Sequence, residues 1–169
     1  MYKEVKIIII GAKSTGKTSI IEQFIDKTFF KNMESTLEIS ATVHKHPSVK
    51  KKAVFLIVDT SGDDRYRYLL KEELGNAVIV ILTYDISNRL SFLAMSDYLK
   101  LAKELAPETS KYILVGNKVD LDYTREVTFL EAINYATRHN MFFYETSACT
   151  GYLTNELFYK CAEIINQKI

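Results

Sequence analysis

Several things are scarce in this sequence, and each scarcity removes a class of protein. Only two cysteines, Cys149 and Cys161, occur in 169 residues. They are too few for a disulfide framework and lack metal-ligand spacing, which suits a reducing compartment, so the expected location is the cytoplasm. Two prolines and six glycines leave no room for a Pro/Gly-rich linker, and no internal repeat or low-complexity tract interrupts the chain. Charge of one sign is not in excess. The 22 Lys and Arg stand against 21 Asp and Glu for a formal net charge of +1, so no global field points to nucleic acid as a partner. The opening MYKEVKIIII offers only four consecutive isoleucines, too short for a signal or membrane-spanning segment, and reads as a buried strand. The last residues, EIINQKI, carry no cysteine box, so membrane attachment is expected only through a lipid anchor not present in these residues.

What is there is a chain with 47% hydrophobic residues, enough to bury a core, and a single domain over residues 1–169 is expected. Apolar runs of strand length recur at Val5–Ile10, Ala53–Val58, Ala77–Leu82, Tyr112–Val115 and Met141–Tyr144, with helix-like stretches between most of them. That alternation predicts an α/β fold with a mostly parallel sheet and helices on both faces. Leu90, Ala94, Tyr98, Leu101 and Leu105 step by three or four, predicting one helix face that ends before Pro107. Thr128 with Glu131 three residues on predicts a capping box. In the last helix Leu157, Cys161 and Ile164 share a stripe, which makes Cys161 a core residue rather than a reactive one. His44 and His46 flank the basic turn PSVKKK, where a solvated hairpin is expected in place of a metal site.

After the first strand comes GAKSTGKT, Gly11 to Thr18, matching G-x-x-x-x-G-K-[ST] between a strand and a helix. Glycines let the backbone wrap tightly, the amides and the helix N-terminus face phosphate oxygens, Lys17 reaches the β and γ groups, and Thr18 ligates Mg²⁺. The phosphate-binding residues are thus Lys13, Ser14, Thr15, Gly16, Lys17, Thr18 and Ser19. A base reader follows. NKVD, Asn117 to Asp120, comes after the strand Tyr112–Val115, at a carboxyl end where open α/β sheets bind ligands. The Asp120 carboxylate can accept both guanine N1–H and N2–H, a pair that adenine does not offer. Asn117 would brace the loop, and the Lys118 stem can lie across the base. ETSA, Glu145 to Ala148, follows the last strand, with the Ala148 N–H expected at guanine O6, Ser147 supporting Asp120, and Cys149 next in the pocket wall.

GAKSTGKT, Thr36, DTSG, NKVD and ETSA, in that order, resemble the small GTPases of the Ras superfamily over essentially all 169 residues. The resemblance implies a P-loop G domain of six strands and five helices that binds GTP or GDP with Mg²⁺. It also implies that Phe29 meets the guanine edge-on and that Thr36 reads Mg²⁺ and the γ-phosphate. Asp59 would hold Mg²⁺ through water, and the Gly62 amide would touch the γ-phosphate. Effectors and exchange factors would meet the chain through a first switch at about residues 30–41 and a second at about 60–76. YDISNRLSF, Tyr84 to Phe92, and RYR, Arg65 to Arg67, resemble the Rab branch, which serves membrane traffic. Departures from that branch include Glu38, Ser40 and Ala41 after the switch threonine, Val58 before the DTSG aspartate, and the absence of tryptophan.

In that resemblance Asp63 takes the place of the glutamine that orients the attacking water, and Lys13 replaces a small P-loop residue. An ionised carboxylate accepts but does not donate, and it brings charge toward the γ-phosphate, so slow hydrolysis is expected. Lys13 has three possible uses: pairing with Asp63, supplying a cation to the phosphate, or blocking an activator's arginine. The first and third together are expected. The residues tied to hydrolysis are therefore Asp63, Lys17, Thr36 and Lys13, and the metal set is Thr18, Thr36 and Asp59. Two other readings compete: a permanently nucleotide-bound scaffold that does not cycle, and a P-loop small-molecule kinase. Intact Thr36 and Gly62 oppose the first, and the lack of a compact arginine cluster beyond Arg65 and Arg67 opposes the second.

Overall fold

The four isoleucines at the start form the centre of the molecule. In this computed structural model, which describes residues 2–31, 36, 39–50 and 52–168 and only the backbone of Asp64, Tyr66 and Arg67, they end strand β1, Lys3–Ile10. β1 pairs in parallel with β3 (Ala53–Asp59) on one side and β4 (Ile79–Asp85) on the other. Side chains alternate between faces of a strand. Ile7 and Ile9 therefore enter one core cluster while Ile8 and Ile10 enter the other, all four at 0% exposure. An unbroken apolar run is what a strand buried on both faces requires. Each such side chain contributes about 1.5–3 kcal/mol of burial.

The sheet has six strands in the order β2-β3-β1-β4-β5-β6, with β2 as Ser40–His44, β5 as Lys111–Asn117 and β6 as Phe142–Glu145. Among the described residues only β2, an exposed edge strand, runs antiparallel. The helices are α1 (Lys17–Ile25), α2 (Leu70–Leu74), α3 (Arg89–Leu93), α4 (Met95–Leu105), α5 (Phe129–Arg138) and α6 (Thr154–Lys168). α1 and α6 contribute to the cluster around Ile7 and Ile9, and α2 to α5 to the cluster around Ile8 and Ile10. The expected fold class holds, and its consequence is positional. The ends of β1, β3, β5 and β6 that carry GAKSTGKT, DTSG, NKVD and ETSA all emerge on the carboxyl side, where such sheets bind ligands.

The described residues hold six α-helices, where five were expected, because α3 and α4 meet at Ala94, whose backbone stays helical (φ −64°, ψ −17°). The predicted apolar stripe changes accordingly. α4 buries Met95, Tyr98, Leu99 and Ala102, with Leu101 and Leu105 at the flank, while Leu90 in α3 is 76% exposed. The buried stripe crosses the joint through Phe92, Met95, Leu99 and Ala102, three or four apart, and Leu90 falls outside it. Thr128 caps α5 by accepting the Glu131 N–H, but the Glu131 carboxylate is drawn to Arg89 (2.6 and 3.0 Å) and does not close the box. Cys161 lies in the core at 0% exposure, as its stripe predicts, and burial pushes its thiol up.

The hairpin expected around His44 and His46 forms, with β2 antiparallel to β3 and Lys50 and Lys52 of its turn exposed, but it does not leave His46 in solvent. His46 is 3% exposed, stacked against Phe55 and Phe24 and edge-on to Tyr159. Its Nδ1 accepts the Ser48 N–H at 3.2 Å, which requires that nitrogen to be unprotonated. Burial lowers its pKa from the ordinary 6.5, and the neighbouring His44 lowers it further. A histidine held neutral in the fold adds stability above its unfolded pKa, which is lost as pH falls through 6.5 toward the lowered value. Unfolding free energy by urea denaturation should therefore drop between pH 7 and pH 5.5, and His46→Phe should flatten part of that slope. An unchanged slope would contradict the assignment.

Candidate functional site

GAKSTGKT forms a tight turn because its backbone enters conformations that few residues accept. Gly16 has φ +90°, and a Cβ there would lie 2.3 Å from Asn117 Nδ2, so this turn requires glycine twice over. Ser14 is also left-handed at φ +63°. Thr15, 1% exposed, donates from its hydroxyl to Ala12 O at 3.0 Å and ties the turn together. Gly16 precedes α1 without a side-chain cap, so the helix presents its first amides outward. Those amides can receive an anion.

Lys17 points back over the turn, where Nζ donates to Gly11 O (3.0 Å) and Ala12 O (2.9 Å). The residue is 5% exposed, and burial lowers its pKa to about 8 against an upward pull from Asp59. Charge buried at that depth needs an anionic partner. Across the turn, Thr18 Oγ1 lies 2.8 Å from Thr36 Oγ1 and donates to Asp59 Oδ2 at 2.5 Å. Asp59 Oδ1 is buried with no hydrogen-bond partner among the described residues, and burial raises the pKa of this carboxyl. Two hydroxyls and an under-satisfied carboxylate form an oxygen donor set of the kind Mg²⁺ takes. Among the described residues no cluster of three His, Cys, Asp or Glu side chains forms another metal site.

At the other end, Asn117 works as a strut. Its Nδ2 donates to Thr15 O (3.0 Å), and its Oδ1 accepts from Thr146 Oγ1 (3.1 Å) and the Ala148 N–H (3.2 Å). One side chain thereby joins the phosphate turn, the end of β5 and the loop after β6. The Ala148 N–H expected at a base oxygen is already engaged, though by a long bond. Ser147, 0% exposed, donates to Asp120 Oδ1 at 2.5 Å and aims that carboxylate, as the sequence suggests. Lys118, left-handed at φ +70°, reaches Ser14 O (2.6 Å) and Asp85 Oδ2 (2.7 Å) and so spans the gap between the two ends. Arg125 forks onto Glu145 (2.6 and 2.9 Å) and pairs with Asp122 (2.6 Å), which pins the NKVD loop to β6.

Between these ends runs a cleft of about 530 Å³. Its lining includes Lys13, Ser14, Gly16, Lys17, Thr18, Ser19, Phe29, Thr36, Gly62, Asn117, Lys118, Asp120, Ala148 and Cys149 from the sequence reading. Thr15, Asp59, Asp63 and Ser147 do not line it. Thr15 and Ser147 act from behind, Thr15 O accepting from Asn117 and Ser147 donating to Asp120, both of which line the cleft, and Asp59 acts through the Thr18 hydroxyl. Phe30, Lys31 and Leu121 join the lining without having been foreseen, their one sequence signal being adjacency to Phe29 and to NKVD. Asp85, the anchor of Lys118, was also missed because it closes a strand 33 residues away.

The loop after β3 approaches the turn closely. A Cβ on Gly62 would lie 2.3 Å from Lys13 N and 2.4 Å from Ala12 C, so only glycine fits. Asp63 does not make the expected pair with Lys13. Arg65 takes it instead, Nη2 to Oδ2 at 2.6 Å, Nε to both oxygens at 3.0 and 3.1 Å, and the Arg65 N–H to Oδ1 at 3.0 Å. The reason is local: two residues apart in a 3₁₀ segment opening, the guanidinium fork meets a carboxylate bidentately, which a lysine does not do. These bonds hold the Asp63 pKa down to about 2, with Lys13 the weakest contributor. The backbone of the second expected switch runs through that 3₁₀ segment, Asp64–Leu69, into α2. Residues 32–35, 37 and 38 of the first, Glu38 among them, lie outside the described residues.

A family model described as the Ras family matches residues 6–167. The chain is 38% identical over 164 residues to the Ras-related protein Rab-4A of Danio rerio, covering 97% of this chain and 77% of that protein. It is 38% identical over 165 residues to Ras-related protein Rab-4 of Dictyostelium discoideum (98% and 80%), and 39% over 165 residues to Rab-4A of Homo sapiens (97% and 75%).

Proposed function

The chain belongs to the Ras family, as a Rab-like GTP-binding switch of the small GTPase type, and from that premise we propose that it binds GTP and GDP with Mg²⁺ in this cleft as one domain and hydrolyses GTP slowly. The observation that carries the reading is the joining, through the Asn117 strut, of a phosphate turn to a carboxylate aimed by Ser147. Nothing in a phosphate cradle alone requires such an aimed acceptor.

Each residue then has a task. The turn amides and Lys17 hold the β- and γ-phosphates, Asp120 accepts from the guanine edge, and Phe29, Lys118, Ala148 and Cys149 border the base. Thr18, Thr36 and Asp59 would hold Mg²⁺, which supplies positive charge to neutralise the phosphates when bound. Thr36 and Gly62 come from the two switch segments and can sense the third phosphate, so exchange factors and effectors are proposed to read residues 30–41 and 60–76. Water is poorly oriented because the Asp63 carboxylate cannot donate and its lone pairs are occupied by Arg65. Membrane traffic is the proposed setting, on the cytoplasmic face of membranes. Among the described residues no helix is long and apolar enough to cross one.

The test is direct. Purified protein, denatured and chromatographed, should release guanine nucleotide in near-stoichiometric amount, and chelating Mg²⁺ with EDTA should speed exchange against labelled GDP. Recovery of adenine nucleotide, or exchange indifferent to EDTA, would sink the reading.

A further inference from the structure

The ion pair that the sequence suggested for Lys13 is occupied by Arg65, and this leaves a cation without its expected partner at a telling place. Lys13 is exposed, and its amine makes no hydrogen bond or ion pair with the described residues, acting on Asp63 only as a weak electrostatic neighbour beside the Arg65 fork. It lines the same end of the cleft as Lys17, Thr36 and Gly62, the end assigned above to the terminal phosphate. Its backbone is fixed there. The Lys13 amide lies so close to Gly62 that the loop after β3 packs directly on it. Among the described residues the Asp63 carboxylate, one residue beyond Gly62, competes electrostatically for its charge. That carboxylate accepts four hydrogen bonds from Arg65, so its acceptor capacity is spent.

We propose that Lys13 binds the γ-phosphate and sets a preference for nucleoside triphosphate over diphosphate, and that Arg65 makes this possible by holding Asp63 away from it. The inference rests on the nucleotide orientation proposed above. Lys17 sits deep in the turn, bonded to Gly11 O and Ala12 O, and serves phosphates common to both nucleotides as well. Lys13 stands at the rim, where a diphosphate has no oxygen to offer. A lysine ammonium is a mobile point charge with three donors, suited to a phosphate that arrives and leaves. The arrangement favours retention of GTP in a protein whose hydrolysis is already slow. Both features keep the switch on.

The experiment is a set of equilibrium affinities for GDP and for a GTP analogue with a β–γ imido bridge, each with Mg²⁺, in the parent, Lys13→Met, Arg65→Ala and the double variant. The triphosphate-to-diphosphate affinity ratio should fall about tenfold in Lys13→Met, the size of one charge-assisted contact in a half-open site. It should fall comparably in Arg65→Ala, where the released Asp63 captures Lys13. In the double variant it should fall no further than in Lys13→Met. An unchanged ratio in Lys13→Met overturns the phosphate role, and equal falls on removing Arg65 with and without Lys13 overturn the holding role. Lys13→Arg should keep most of the ratio, which separates charge from loss of packing. Failure of the parent to bind either nucleotide would instead contradict the functional reading itself, so the two failures are distinct.

Discussion

Asp63→Gln should raise single-turnover hydrolysis of GTP by about ten- to a hundredfold, the range expected when a hydrogen-bond donor is restored near a developing phosphoryl charge. Two physical changes act together. The amide donates where the carboxylate only accepts, and it removes a negative charge from the neighbourhood of the γ-phosphate. It also dissolves the fork with Arg65, because a neutral amide holds a guanidinium far less strongly than a carboxylate does. Asp63→Ala divides the two contributions, since it removes the charge without adding a donor, and it should recover only a small part of the gain. The parent rate should show no step between pH 5 and pH 8 from Asp63. Its pKa is held down to about 2 by Arg65, so the carboxyl stays ionised across that window. A parent faster than Asp63→Gln would mean that the carboxylate itself serves the reaction, and the slow-switch proposal would fall.

The second large effect is on the base. Asp120→Asn should weaken binding of GDP by between about a hundred- and ten-thousandfold, the cost of two hydrogen bonds to a charged acceptor. An amide at this position presents one acceptor and one donor. Guanine offers two donors, so its exocyclic amine would face the amide NH₂. Xanthine carries an oxygen where guanine has that amine, and the complementarity returns. The same variant should therefore bind xanthosine diphosphate better than GDP, measured by equilibrium titration of both. Ser147 can still donate to the remaining side-chain oxygen, so the loop should keep its shape. Equal loss for both bases would point to a damaged loop, and unchanged GDP affinity would remove Asp120 from base recognition.

How far the sequence alone leads depends on the range of the interaction. The strand over Ile7–Ile10 and the phosphate turn were legible because their causes are local: an unbroken apolar run in one case, glycine backbone freedom and contiguous amides in the other. The Ser147–Asp120 bond was legible although the residues are 27 apart, because both follow adjacent parallel strands and must meet at one sheet end. The helix stripe through Leu90 was misread because two apolar rows at helical spacing run side by side, and only packing shows that the row through Phe92, Met95 and Leu99 faces the core. His46 was misread because a polar, basic stretch is solvated by default. Here it sits between Phe24 and Phe55, rings from α1 and β3 that no local pattern places beside it.

By itself, then, the sequence determined the sheet-and-helix order, the phosphate turn and the presence of residue types that can accept from a guanine edge, since these follow from backbone geometry and hydrogen-bond complementarity within short segments. The tertiary structure alone decided which charges meet. Arg65 and not Lys13 holds Asp63, and Asp85 anchors Lys118. Long charged side chains pair by distance and by the shape of their ends, and neither is written in sequence separation.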